Sequence, residues 1–296
     1  MNKTTDDLIF EVVNNFLLAI IVFLTAYPLY FTVIASISRP DMVAKGYVFL
    51  FPKGLNFEAY SNVFQNASIW IGYKNTIIYA IVVTFVNLVL TIPTAYALSK
   101  KWLYRRNIVM WIYVFTMYFS GGIIPKYLLM TSLGLKNTMW VIVLSESISI
   151  YNLIVAKNFF ETAIPNDIYE ASYIDGSSEL KTFFVMALPL SMPIVAVMGL
   201  FYAVAQWNSF FDALIFINKE SLYPLQLVLR NILILNQQLN MNSFADGQAE
   251  AMLKKAYLAE SMKYALVFIA SAPVLFVYPF VQKYFIKGIM MGSVKG

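Results

Sequence analysis

Apolar residues in this chain run in long blocks, and polar residues collect between them. Six blocks reach the roughly 20 mainly apolar residues that a membrane-crossing helix needs. They cover about 16–37, 76–98, 108–130, 139–160, 183–206 and 262–286, and predict an all-α membrane protein with six transmembrane helices. Proline and glycine punctuate several blocks. Pro93 is expected to kink the second, and Gly121, Gly122 and Pro125 interrupt the third. Pro189 and Pro193 fall in the fifth, Pro273 and Pro279 in the sixth. Each break frees backbone carbonyls, which lipid tolerates only where a neighbouring helix or a wet cavity supplies partners. That pattern suits a packed bundle around a pathway better than a set of isolated anchors.

Composition agrees. Of 296 residues, 60% are hydrophobic and 12% charged, against about a quarter charged in a soluble domain. The net charge of +5 comes from basic residues scattered through short loops. Such residues anchor a chain at the membrane surface and do not form a phosphate-tracking stripe, so no nucleic-acid partner is expected. There is no cysteine and no histidine. That removes disulfides, Cys/His zinc sites, Ser-His-Asp and Cys-His nucleophiles and imidazole relays, so no catalytic residue and no metal site are expected. The first block is too long for a signal-peptide core and no small-residue cleavage site follows it, so it is read as a retained span.

Loop parity places both termini, the 99–107 loop and the 161–182 segment on one side. Lys100, Lys101, Arg105 and Arg106 crowd the short second loop, whereas the short third loop holds only Lys136. The positive-inside rule then makes that side cytoplasmic. The flanks of the first span, Lys3 against Arg39, Lys45 and Lys53, favour the opposite orientation. Cytoplasmic termini are the reading adopted, which makes 38–75 and 207–261 extracellular. These outer segments carry Trp70, Trp207, Phe210, Phe211, Phe216 and Tyr223. An interfacial aromatic belt and a docking surface for an extracellular partner both account for them.

From Ile164 the chain reads IPNDIYEASYIDGSSELKTFFVMALPLSMP, a polar stretch leading into the fifth block. Pro165 suits a helix start, and Asn166 or Asp167 is placed to cap the first turn. Ile168, Ala171 and Ser172 then share a face with Glu170 beside it, and the small residues at 171 and 172 would let a partner's groove approach. Asp175-Gly176 supplies a turn, and Glu179 and Lys181 open a second short helix. The expected product is a helix–turn–helix hook with acids at Glu161, Asp167, Glu170, Asp175 and Glu179. An anionic leaflet would repel those acids, so a basic-lined groove on a soluble protein fits the hook better than lipid does.

The succession Glu170-Ala171-Ser172, Gly176 and Leu188-Pro189 resembles the EAA loop of permease subunits of binding-protein-dependent ABC importers. Ser172 departs from the family's alanine and Met186 from its isoleucine. The stretches FSGGIIPKYLLMTSLGLKNT, QWNSFFDALIFI and GSVKG extend the likeness over nearly the whole chain. Together they resemble the MalG-like carbohydrate-uptake branch, above all its LplC/YtcP-like oligosaccharide subgroup in low-GC Gram-positive bacteria. The resemblance implies a multi-pass cell-membrane subunit paired with a homologous second permease. It implies an ATPase dimer that seats the hook at the cytoplasmic face and an extracellular substrate-binding lipoprotein that delivers an oligosaccharide. Within the motif, Glu170 would pair with a basic residue of the ATPase. Ala171, Ser172, Asp175, Gly176, Leu188 and Pro189 would complete this cytoplasmic coupling element between the fourth and fifth spans. The chain has no G-x4-G-K-[ST] phosphate loop, so ATP and Mg²⁺ would be bound by the partner ATPase and no cofactor by this chain.

For the translocation path, Ser145, Ser149 and Asn152 recur at helical spacing in the fourth block, with Glu146 and Ser147 nearby. Hydroxyls and amides exchange for water on a sugar without trapping it, and they also serve as interhelical polar glue. Glu146, at mid-depth, needs a partner or water. Gln206 and Asn208, flanking Trp207, are candidates at the outer mouth. Two other classes remain open beside a permease for sugar or another solute. An ion-coupled carrier would need intramembrane charged pairs, and the spans hold almost only Glu146 and Lys126. A membrane enzyme without His or Cys would need a carboxylate pair, and none is found within the spans.

Overall fold

The computed structural model describes residues 5–145, 147–242, 257–276 and 279. Among them every regular element is helical, and one isolated antiparallel bridge joins Ser38 and Leu55. The first half of the chain contains α1 (Thr5–Ser36), α2 (Pro40–Ala44), α3 (Glu58–Gln65), α4 (Ala67–Ser99), α5 (Arg106–Tyr118), α6 (Ile123–Ser132) and α7 (Trp140–Ser145). The second half continues with α8 (Ile150–Thr162), α9 (Asn166–Ile174) and α10 (Glu179–Thr182), then a π-helical turn over Phe183–Ala187. There follow α11 (Leu188–Leu190), α12 (Met192–Asn208), α13 (Phe211–Phe216), α14 (Leu225–Asn242) and α15 (Tyr257–Phe276).

Three of these helices, α1, α4 and α15, are long and apolar enough to cross a membrane. They realise the first and second blocks and the described part of the sixth. Helix α4 begins at Ala67, well before the expected 76, and continues through Pro93 to Ser99 without interruption. The third block is sharply broken, with α5 and α6 meeting at 112°. Gly122 makes the corner at φ +83° and ψ −177°, a region essentially reserved for glycine. The fifth block bends by 78° between Glu179–Leu190 and Met192–Asn208. Counting each bent pair as one crossing gives up to five spans among the described residues.

The fourth block departs from expectation. It is two short helices, α7 and α8, with residues 147–149 between them non-helical, so Ser145, Ser149 and Asn152 do not share one continuous helix face. Ser149 ends the break by capping α8, its hydroxyl accepting from the Asn152 N–H. A polar run of serines offers the backbone local partners that compete with the helix ladder.

The chain divides into two compact units. The first comprises the described parts of Met1–Ile69 and Leu229–Ala272. Its core gathers Ile34, Ala35, Val43 and Val48, with Phe31 of α1 meeting Tyr264 of α15 edge to face at 5.6 Å. Elsewhere α1 leaves Phe10, Phe16, Phe23 and most other apolar side chains exposed, a surface that lipid or another membrane helix must cover.

The second unit comprises Trp70–Val228 and the described residues from Pro273 on. Helix α4 runs past two cores in it. Near its carboxyl end, Ile92, Ala95 and Tyr96 pack with Leu153, Ala156 and Phe160 of α8, Tyr169 of α9 and Met198 and Tyr202 of α12. Nearer its start, Tyr79 and Val83 pack with Val141 and Val143 of α7 and Ala213 and Phe216 of α13. Phe216 is fully buried and stacks on Tyr127 at 5.8 Å, so it serves the core and not an aromatic belt. Trp207 is also buried, against Tyr73 at 6.2 Å, whereas Trp70 and Phe211 remain exposed. Polar side chains of α4 hold the 218–225 segment by its backbone. Asn75 donates to the Ser221 and Tyr223 carbonyls at 2.8 and 3.0 Å. The Tyr79 hydroxyl donates to the Leu222 carbonyl at 2.9 Å, and Thr76 accepts from the Leu225 N–H at 2.8 Å.

Gly122→Ala should destabilise the protein by about 1–3 kcal/mol, because the corner's backbone angles exclude a Cβ. Gly199→Ala, inside α12 with only ordinary contacts around its Cβ position, should be neutral or stabilising by up to about 1 kcal/mol. Thermal unfolding of the detergent-solubilised protein separates the two.

Candidate coupling hook and transport path

The 161–182 segment forms a hook. Pro165 precedes α9 at φ −58° and ψ 140° and makes no side-chain cap bond, so the capping expected of Asn166 or Asp167 is not made. Both residues lie in the first turn instead, where the Asp167 carboxylate still complements the helix dipole. The carboxyl end of α9 closes as a Schellman motif. Gly176, at φ +69°, donates to the Tyr173 carbonyl, and the Ser177 N–H donates to the Ser172 carbonyl, both at 3.0 Å. Ser178 then caps α10 by accepting from the Lys181 N–H.

The inner face is locked. Ser172 and Thr182 are both fully buried, and their hydroxyls bond across the turn at 2.6 Å. The small side chain at 172 therefore serves closure of the hook on itself and is not offered to a partner. Outward lie Glu170, Ala171 and Asp175, with Ile174 86% and Leu180 72% exposed. Two of the five acids are used within the molecule. Glu161 pairs with Lys157 at 2.7 Å and Arg106 at 3.2 Å, and Glu179 accepts from the Tyr96 hydroxyl at 3.4 Å. Leu188 is half-buried against the first core and Pro189 exposed, both just before the 78° bend.

Beneath the hook, Tyr169 of α9 is buried with its hydroxyl unpartnered, and burial pushes its pKa up to about 12. The ammonium of Lys100, at the end of α4, lies over that ring. Charge patterning makes the second loop a set of surface anchors, and Lys100 is not one.

The path candidates separate into two groups. The Ser145 hydroxyl donates to the Asp212 carboxylate of α13, which also pairs with Lys126 of α6 at 2.9 Å. Asp212, within QWNSFFDALIFI, is thus the partner of Lys126, for which the sequence alone offers none. Ser149 belongs elsewhere. Its N–H donates to the Tyr202 hydroxyl at 3.3 Å, and Tyr202 bonds Thr91 at 2.7 Å. Asn152 is buried beside it. Asn87, with its amide turned so that the nitrogen donates, reaches the Ser147 carbonyl at 2.9 Å. Gln206 is half-buried, and the Asn208 amide is spent on the Val204 carbonyl of its own helix at 2.9 Å. Glu146 lies outside the described residues, as does the stretch 280–296 that includes GSVKG.

Long apolar helices, two sharply bent helix pairs, a half-buried Lys126–Asp212 ion pair and a locked polar hook together suit a membrane transport subunit. Comparison with known proteins gives it a family. Residues 67–291 match the binding-protein-dependent transport system inner membrane component, and the chain belongs to that family. It is 38% identical to Protein LplC of Bacillus subtilis over 296 residues, covering 100% of this chain and 98% of that one. It is 36% identical to the polygalacturonan/rhamnogalacturonan transport system permease protein YtcP of Bacillus subtilis, covering 91% and 92%. Among solved structures, a chain of a bacterial ABC transporter involved in the import of the acidic polysaccharide alginate superposes with a TM-score of 0.83. It shares 33% identity and the match covers 96% of this chain and 99% of that one.

Ser172→Ala should cost about 1–3 kcal/mol by leaving the buried Thr182 hydroxyl without its partner, and Thr182→Val added to it should recover most of the loss. Limited proteolysis across 161–182 and thermal unfolding of both variants check this.

Proposed function

We propose that this chain is a permease subunit of an ATP-driven ABC importer. With a homologous second permease it forms the membrane pathway for a complex oligosaccharide delivered by an extracellular binding lipoprotein. The observation that carries the reading is the hook. Its inner face is closed by the Ser172–Thr182 bond, while Glu170, Asp175, Ile174 and Leu180 stay exposed in a polypeptide with no nucleotide loop of its own. ATP and Mg²⁺ bind a separate ATPase dimer at the cytoplasmic face, where both termini of this chain also lie. Glu170 meets a basic residue of that ATPase, and closure of the ATPase dimer draws the hook with it and rocks the spans between inward- and outward-facing states. The bent segments and the α7–α8 break line the path, in a bundle of six crossings. The sugar class is supported by the transport relatives named above, and the shared fold covers almost the whole chain.

One observation favours a second reading. Lys126 and Asp212 form a charged pair of the kind that an ion-coupled carrier requires. Uptake by vesicles supplied with an ion gradient and no ATP would support that carrier.

Glu170→Lys reverses the exposed charge of the hook, and Gly176→Val strains the turn through φ +69° although open space surrounds its Cβ position. Each should abolish sugar uptake while membrane insertion stays intact, as read by radiolabelled-sugar accumulation and membrane fractionation. Normal transport by either variant would refute the hook's role.

A further inference from the structure

Lys100 immediately follows α4 and is 7% exposed, while Lys101 and Arg105 of the same loop are exposed. Its ammonium nitrogen stands 4.4 Å from the ring centroid of Tyr96 on α4 and 2.8 Å from that of Tyr169 on α9. The two rings lie 6.2 Å apart. Phe160 and Phe183 brace Tyr96 from α8 and from the π-helical turn, at 5.6 and 4.9 Å. On the remaining side, Glu179 of α10 accepts from the Tyr96 hydroxyl, and its charge favours the ammonium. Tyr173 of α9 borders the same carboxylate, and burial and Glu179 both raise its pKa. The cage is thus built from the end of a membrane span, from the hook's first helix and from the hook's second.

An ammonium attracted to the faces of two rings links the helices that carry them, and desolvation strengthens that attraction. An apolar side chain of equal length would fill the same space without the penalty of burying a charge. The charge therefore supplies a directional grip that packing alone would not. We infer that Lys100 is a positioning residue of the transport cycle, its ammonium holding α9 to the end of α4 so that movement of the hook is passed to the membrane span without slack. This rests on the importer reading above.

The grip depends on charge within an accessible range. Burial lowers the Lys100 pKa from 10.5 to about 8, with Glu179 opposing the shift. Tyr169, at about 12, keeps its proton throughout. As pH rises through about 8 the ammonium becomes an amine and the attraction to the rings is lost. Between about 8 and 10.5 the folded protein holds fewer protons at this lysine than the unfolded chain does. Over that window this site makes folding stability rise with pH, not fall. Loss of coupling with no loss of melting temperature is therefore the signature of a positioning role.

The test uses the whole complex, reconstituted with its second permease, ATPase and binding protein in proteoliposomes. Sugar transported per ATP hydrolysed is measured with the ATPase face at about pH 7 and about pH 9, either side of the Lys100 transition. The unsubstituted protein should lose about tenfold in that ratio at the higher pH. Lys100→Arg, whose guanidinium stacks on rings and stays charged, should hold its neutral-pH ratio there. Lys100→Met should be about tenfold low at both. Equal coupling by Lys100→Met and the unsubstituted protein at neutral pH would overturn the inference. So would identical pH profiles for the unsubstituted protein and Lys100→Arg, or a loss at high pH matched by a fall in melting temperature. Sugar uptake by the unsubstituted complex at neutral pH that does not require ATP would refute the importer reading, and this inference with it.

Discussion

A backbone carbonyl or N–H in hydrocarbon has no water to turn to, and leaving one unpaired costs several kcal/mol. This chain interrupts its third, fourth and fifth apolar segments nonetheless, so neighbouring side chains must satisfy what the helices release. Around the α7–α8 break they do. Tyr202 of α12 accepts from the Ser149 N–H and is itself bonded to Thr91 of α4. Asn87 of α4 reaches the Ser147 carbonyl. At the fifth-segment bend, the Ser191 hydroxyl and N–H both bond the Leu188 carbonyl, at 2.9 and 3.1 Å. These bonds tie the fourth-segment break to α4 and α12 and close the fifth-segment bend locally, so each of the two is a defined shape.

The hook follows the same logic with the faces reversed. Its polar groups are satisfied inward, by the Schellman closure at Gly176 and the Ser172–Thr182 pair. Its exposed groups are those a partner would need: a carboxylate at Glu170 and apolar side chains at Ile174 and Leu180. An element that is rigid toward its own protein and incomplete toward solvent can transmit force between the two. Lys100 joins the closed side to α4, the helix that passes both cores of its unit.

Segment length and the hook are legible in the sequence because each depends on local signals. Twenty apolar residues without charge, or a glycine after an acidic turn, carry their physics with them. Gly121-Gly122 likewise announces a break, though not its 112° angle. The break in the fourth segment is hidden. Ser145, Ser149 and Asn152 have the spacing of a sugar-facing stripe, whereas α7 stops at Ser145 and Ser149 caps the start of α8. Pairings across distant sequence, such as Lys126 with Asp212 and Lys100 with Tyr169, have no local signature. Lys100 shares a basic loop with residues that do face solvent, which masks its burial. Ser172 is small, as a close approach requires, but the surface that approaches it is α10 of the same chain and not a partner. The face a residue presents is set by what packs against it.

In the importer proposed above, a separate ATPase grips the hook. The chain contains no cysteine, so Ile174→Cys places a single thiol on its most exposed flank. In the assembled, transport-competent complex, a short maleimide–succinimide crosslinker should join that thiol to an ATPase lysine, giving a product of permease plus ATPase on a denaturing gel. An assembled and active complex that yields no such product would contradict the account.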